Sequence, residues 1–82
     1  MSNKVVKMKQ VYWVIVTNPE FTKVDPDHFM MPCETTDLDE AIQCAKEQYS
    51  DAPQCKGNHA YVVLRDRWLE GDRTPLVDVQ PD

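Results

Sequence analysis

The sequence predicts a small α+β fold, and three stretches predict it. VYWVIVT, Val11 to Thr17, is short, β-branched and aromatic, the composition of a strand. TTDLDEAIQCAKEQY carries Leu38, Ala41, Ile42, Ala45 and Tyr49 at the i, i+3, i+4, i+7, i+11 positions of one helix face. HAYVVLRDRW, His59 to Trp68, again reads as a strand. A chain of 82 residues has room for one modest core, and one helix covers one face of a small sheet. The expectation is a three-stranded antiparallel sheet with one helix packed on one face, in the order β-β-α-β. Residues 11–68 would form the single domain.

Residues 1–10 hold Lys4, Lys7 and Lys9 and no acid, and they read as a flexible basic N-terminus. The first strand is apolar on both faces, so alternation does not say which side meets the core. Asn18 to Asp27 has two prolines and mixed charge and reads as a long loop. His28 to Thr35 reads as a second strand. Pro32 has no N–H to give a ladder, which points to an edge or a bulge. Asp37 and Glu40 have the spacing of a capping box, with Asp37 as the cap. Together with Asp39 they place negative charge at the positive end of the helix dipole. Asp51 and Pro53 are expected to end the helix. In CKGN, Gly57 supplies the freedom of a turn. Residues 69–82 read as a tail, in which Leu76, Val77 and Val79 offer a short fourth strand.

Strand alternation puts Ala60, Val62 and Leu64 on one side of the last strand. Tyr61, Val63, Arg65 and Arg67 fall on the other. The first set is expected under the helix, and the second would then be displayed. Tyrosine and arginine are enriched at interface hot spots, so Tyr61, Arg65 and Arg67 are the candidate partner contacts. The competing reading is that the arginines pair with the chain's own acids.

Charge narrows the function classes. The net charge is −5. Residues 17–55 hold nine acids against Lys23 and Lys46, a local charge of −7. Such a block repels nucleic acid and favours a basic partner. Nothing points to chemistry on a substrate. No serine–histidine–aspartate pattern, HExxH or glycine-rich phosphate loop occurs, and the chain has two glycines in all. Cys55 and His59, with His28 and Cys33, have ligand-like spacings but lie in different predicted elements, so neither a metal nor a cofactor is expected. Three cysteines without a CxxC pair fit reduced thiols. No apolar run reaches the ~18 residues of a membrane span. The N-terminus lacks the apolar core of a signal peptide, and a cytoplasmic, monomeric protein is expected.

Two stretches taken together carry a resemblance: Tyr12-Trp13, and HFMMPCETTDLDEAIQCAKEQY. The chain resembles the small phage-encoded inhibitors of bacterial RNA polymerase made early in infection by short-tailed coliphages. That family has an aromatic pair opening its first strand and a strand with Phe and, three residues on, Pro, here Phe29 and Pro32. A Leu-Asp-Glu-Ala helix start follows, here Leu38 to Ala41, with Gln-Tyr at the helix end, here Gln48-Tyr49. The spacing from Phe29 to Tyr49 matches without a gap. The family's final strand ends in two arginines separated by one residue, as in Arg65-Asp66-Arg67. The likeness spans about residues 12–67.

The resemblance implies a three-stranded sheet with one helix. It also implies a non-enzymatic function in the host bacterial cytoplasm. The protein would bind the jaw of the largest subunit of RNA polymerase, in the downstream DNA channel, and contact the acidic N-terminal region of the primary sigma factor, blocking open-complex formation. By the same likeness Arg65 and Arg67 are central contacts, and Asp39, Glu40 and Glu47 form an acidic strip beside the helix. The sequence departs from the pattern in a longer loop at 18–27, a longer turn at 50–58, Lys46 and Glu47 on the helix, and the tail from Trp68. The alternative reading is a phage counter-defence protein, an anti-CRISPR or a DNA mimic occupying a basic nucleic-acid channel. That reading rests on the acidic block and does not need the arginines.

Overall fold

In a computed structural model, residues 9–81 are described. The flexible N-terminus expected for residues 1–10 therefore lies, over residues 1–8, outside the described residues. The chain runs β1 (Tyr12–Thr17), α1 (Pro19–Thr22), β2 (Met30–Thr35), α2 (Leu38–Glu47), a 3₁₀ turn (Pro53–Cys55), β3 (His59–Leu64), α3 (Arg65–Leu69) and β4 (Val77–Val79). The fold is α+β, with a four-stranded antiparallel sheet in the order β2-β1-β3-β4. The three expected strands are thus joined by the short fourth that the tail offered, and the one expected helix is joined by two shorter ones, α1 and α3. The tail supplies β4, so the structured unit extends past residue 68.

β1 is apolar on both faces because it is central and both faces are covered. Val14 and Val16 join Ala60, Val62 and Val79 on one face, packed against Ala41 and Ala45 of α2. Leu38, Ile42 and Tyr49 complete that layer, which is the stripe legible in the sequence. Ile15 and Val63 point the other way and meet Trp68 of α3, with Trp13, Phe29 and Tyr61 around them.

β2 is an edge strand, and it carries a bulge. Val14 pairs with Cys33 and Val16 with Met30, so Met31 and Pro32 together oppose Ile15. The proline sits where the ladder skips a residue and its missing N–H costs no hydrogen bond.

α2 starts at the expected cap. Asp37 Oδ1 accepts from the N–H groups of Asp39 (2.9 Å) and Glu40 (3.3 Å). The capping box is not reciprocal, because the Asp37 N–H donates to Thr35 Oγ1. The helix ends at Glu47, with Gln48 as its C-cap, earlier than Asp51 and Pro53 suggest. Pro53 instead opens the 3₁₀ turn.

The loop at 18–27 contains α1, capped by Asn18. Asn18 is the one polar side chain among the described residues that is buried, and it is fully engaged. Its Oδ1 accepts from the Glu20 N–H, while its Nδ2 donates to Lys56 O and Asn58 Oδ1. Asn58 donates in turn to Gln48 O. This chain of bonds ties the start of α1 to the Gly57 turn, where φ is +87°. Tyr49 performs a similar role at the other edge. Its hydroxyl accepts from the Ala60 N–H (2.7 Å) and lies 2.7 Å from Val79 O, joining α2, β3 and β4.

Candidate protein-binding surfaces

Arg65 and Arg67 are not on a strand. β3 ends at Leu64, and the Arg65 N–H makes one last ladder-like bond to Val11 O (2.9 Å). The chain then turns directly into α3. Its C-terminus closes in a Schellman arrangement, with Gly71 N donating to Trp68 O and Asp72 N to Arg67 O. Gly71 takes the positive φ, +99°, that this closure requires. The expected display of Tyr61, Val63, Arg65 and Arg67 in one row is therefore corrected. A helical turn separates the arginines from the strand's alternation, and Trp68 folds back over the sheet.

The sheet face away from α2 is consequently covered. Val63 is buried under Trp68 and Tyr61 is half-buried. Phe29 meets Trp68 edge to face, with ring centroids 5.0 Å apart. The Arg73 guanidinium lies 4.3 Å from the Trp68 ring centroid, within cation–π range. Trp13 donates from Nε1 to Glu34 Oε2 at 2.7 Å. Burial pushes the Tyr61 phenol above its ordinary pKa, and the nearby Arg73 charge offsets part of that. Sequence reasoning missed this layer. The available signal was RDRWLEG, five helix-compatible residues around a tryptophan followed by the glycine that stops a helix.

Both candidate arginines have intrachain partners. Arg65 Nε lies 3.2 Å from Asp66 Oδ1, and its side chain is 35% exposed. Arg67 Nη1 lies 3.5 Å from Asp72 Oδ2, and its side chain is 66% exposed. The Asp72 carboxyl is held below its ordinary pKa mainly by hydrogen bonds from the Thr74 backbone and hydroxyl, and only then by Arg67. Arg67 is thus a minor partner of Asp72. Exposed pairs of this kind contribute little and weaken with salt, and each arginine keeps most of its five donors for another carboxylate.

The acidic set stands elsewhere. Asp39, Glu40 and Glu47 are all exposed on α2. Glu40 and Glu47 are seven apart and share one stripe with Gln43 between them, while Asp39 is turned by about 100°. α2 covers one face of the sheet and Trp68 of α3 covers the other. The carboxylates and the arginine pair therefore belong to elements on opposite faces and do not make one continuous surface.

The four candidate metal ligands do not converge. His28 packs on Phe21, His59 Nε2 lies 2.7 Å from Asp78 Oδ1, Cys55 Sγ accepts from Ser50 Oγ, and Cys33 packs against the core layer under α2. Among the described residues no helix is long and apolar enough to cross a membrane. Compared with known proteins, the chain matches no family model, no curated protein and no solved structure.

Proposed function

We propose that this chain is a non-enzymatic phage protein that binds and inhibits bacterial RNA polymerase. It would meet the jaw of the largest subunit in the downstream DNA channel, together with the primary sigma factor, and block open-complex formation. The observation that carries the reading is the ungapped run from Phe29 to Tyr49. Its residues hold distinct structural posts: Phe29 on the Trp68 ring, Pro32 in the edge-strand bulge, Asp39 and Glu40 in the first turn of α2, and Tyr49 at the α2–β3–β4 junction. Two charged surfaces on opposite faces suit a chain lodged between two partners. Arg65 and Arg67 suit carboxylates, through planar bidentate bonds. The α2 carboxylates suit a basic channel wall and oppose DNA phosphates.

The test is run-off transcription with purified bacterial RNA polymerase holoenzyme. Added before promoter DNA, the protein should suppress transcripts in proportion to its molar ratio to enzyme. Added after open complexes form, it should suppress few. Full transcription at several-fold excess in both orders would contradict the reading.

One observation favours a second reading, a DNA mimic aimed at another nucleic-acid-binding complex. Both arginines are engaged by the chain's own acids, whereas the α2 carboxylates face solvent. The two readings separate by charge reversal. Loss of binding to the target in Arg65→Glu/Arg67→Glu supports the inhibitor. Loss only in Asp39→Lys/Glu40→Lys supports the mimic.

A further inference from the structure

Cys33 and Cys44 form a site that the partner-binding reading does not use. Cys33 lies on the edge strand β2, opposite Val14. Cys44 lies on α2, and both residues pack against the same core layer from facing elements. Both are half-buried free thiols, and the Cys33 sulfur is near enough to bear on the Cys44 thiol. The third cysteine, Cys55, is not part of that core layer and accepts a hydrogen bond from Ser50 in the 3₁₀ turn region. The arrangement therefore singles out one pair of the three that are arithmetically available.

We propose that Cys33 and Cys44 are a dithiol modification site, closed to a disulfide by exchange with a small-molecule disulfide such as oxidised glutathione. The Cys33 thiolate attacks one sulfur of the small disulfide, breaking its S–S bond and expelling one thiolate. Cys44 then loses its proton to solvent, and its thiolate attacks the Cys33 sulfur of the mixed disulfide. The second small thiolate leaves. Two protein thiols are oxidised by two electrons, and one small disulfide is reduced to two thiols. The product clasps α2 to the edge strand across a short loop. In a reducing compartment the pair stays open.

The order of events follows from the site. Burial, and after it the neighbouring Cys33 sulfur, push the Cys44 thiol up to about 11, so at neutral pH its thiolate is a scarce first attacker. Closure by Cys44 is then the slow step. Its rate should rise with pH between pH 7 and 9, because burial keeps the Cys44 thiolate scarce and its fraction grows as pH rises.

The experiment is oxidation of the full chain with oxidised glutathione, quenching with an alkylating agent, and intact-mass and peptide-mapping mass spectrometry. The expected product is monomeric, lacks two hydrogens, carries a Cys33–Cys44 link and leaves Cys55 alkylated or glutathionylated. Its thermal midpoint should exceed that of the reduced chain by on the order of 10 °C. Cys55→Ser keeps both pair members and should form the same link with the same thermal shift. It thus tests the proposal even if Cys33→Ser or Cys44→Ser folds poorly. A dominant link through Cys55, a disulfide-bonded dimer, or a Cys55→Ser chain that stays doubly alkylated or only glutathionylated would overturn the proposal.

Discussion

At the scale of single residues, a few side chains carry much of the structure. Asp37 caps α2 with two bonds to backbone N–H groups. Asp37→Ala should cost about 1 kcal/mol in urea unfolding. Trp68 should matter more, since it is 7% exposed and covers Ile15 and Val63. Trp68→Ala should cost about 3 kcal/mol or more, the range for a buried aromatic truncated to alanine. Both Cys44 and Tyr61 have raised pKa values, with burial the largest cause in each. The unfolded chain therefore releases these protons at lower pH than the folded one. Stability is fully present below about pH 9 and declines as pH rises towards the folded values. Urea midpoints measured from pH 7 to 11 should fall above pH 9, and the fall should be shallower in Cys44→Ala.

At the scale of elements, α2 was the most legible, because its apolar stripe, its Asp37 cap and its acidic first turn all agree on one helix. β1 and β2 were legible too, and Pro32, which pointed to an edge or a bulge, sits in a strand that has both. The end of β3 was not. Alternation continues on paper through Arg65 and Arg67, and a period-two reading has no way to see Trp68 swing back over Val63. That reversal depends on a tertiary contact with Ile15 and Phe29. Asn18 was likewise read as loop, since its value lies in bonds to Lys56 and Asn58, about forty residues away. The candidate residues themselves were identifiable by type, while their separation onto two faces was not. The α3 closure makes its own prediction. Gly71 has φ +99° with nothing within 4 Å of the position of an added Cβ. Gly71→Ala should therefore cost about 1 kcal/mol through backbone strain alone. Thermal unfolding of this variant checks it.

At the scale of the whole molecule, the contact proposed for this acidic chain is a small arginine cluster. All three arginines of the sequence, Arg65, Arg67 and Arg73, lie within nine residues. Arg73 is stacked on Trp68 and holds the tail against the sheet, whereas Arg65 and Arg67 make only local exposed pairs. Those two can exchange an intrachain carboxylate for a partner's without disturbing the core. The most direct measurement is the affinity of the protein for purified bacterial RNA polymerase holoenzyme, beside Arg65→Glu/Arg67→Glu with its fold verified by circular dichroism and thermal unfolding. The expected result is a saturable one-to-one complex that weakens by a hundredfold or more, roughly 3 kcal/mol, in the folded double variant. Equal binding by the two proteins would remove the arginines from the contact, and no binding by either would contradict the account.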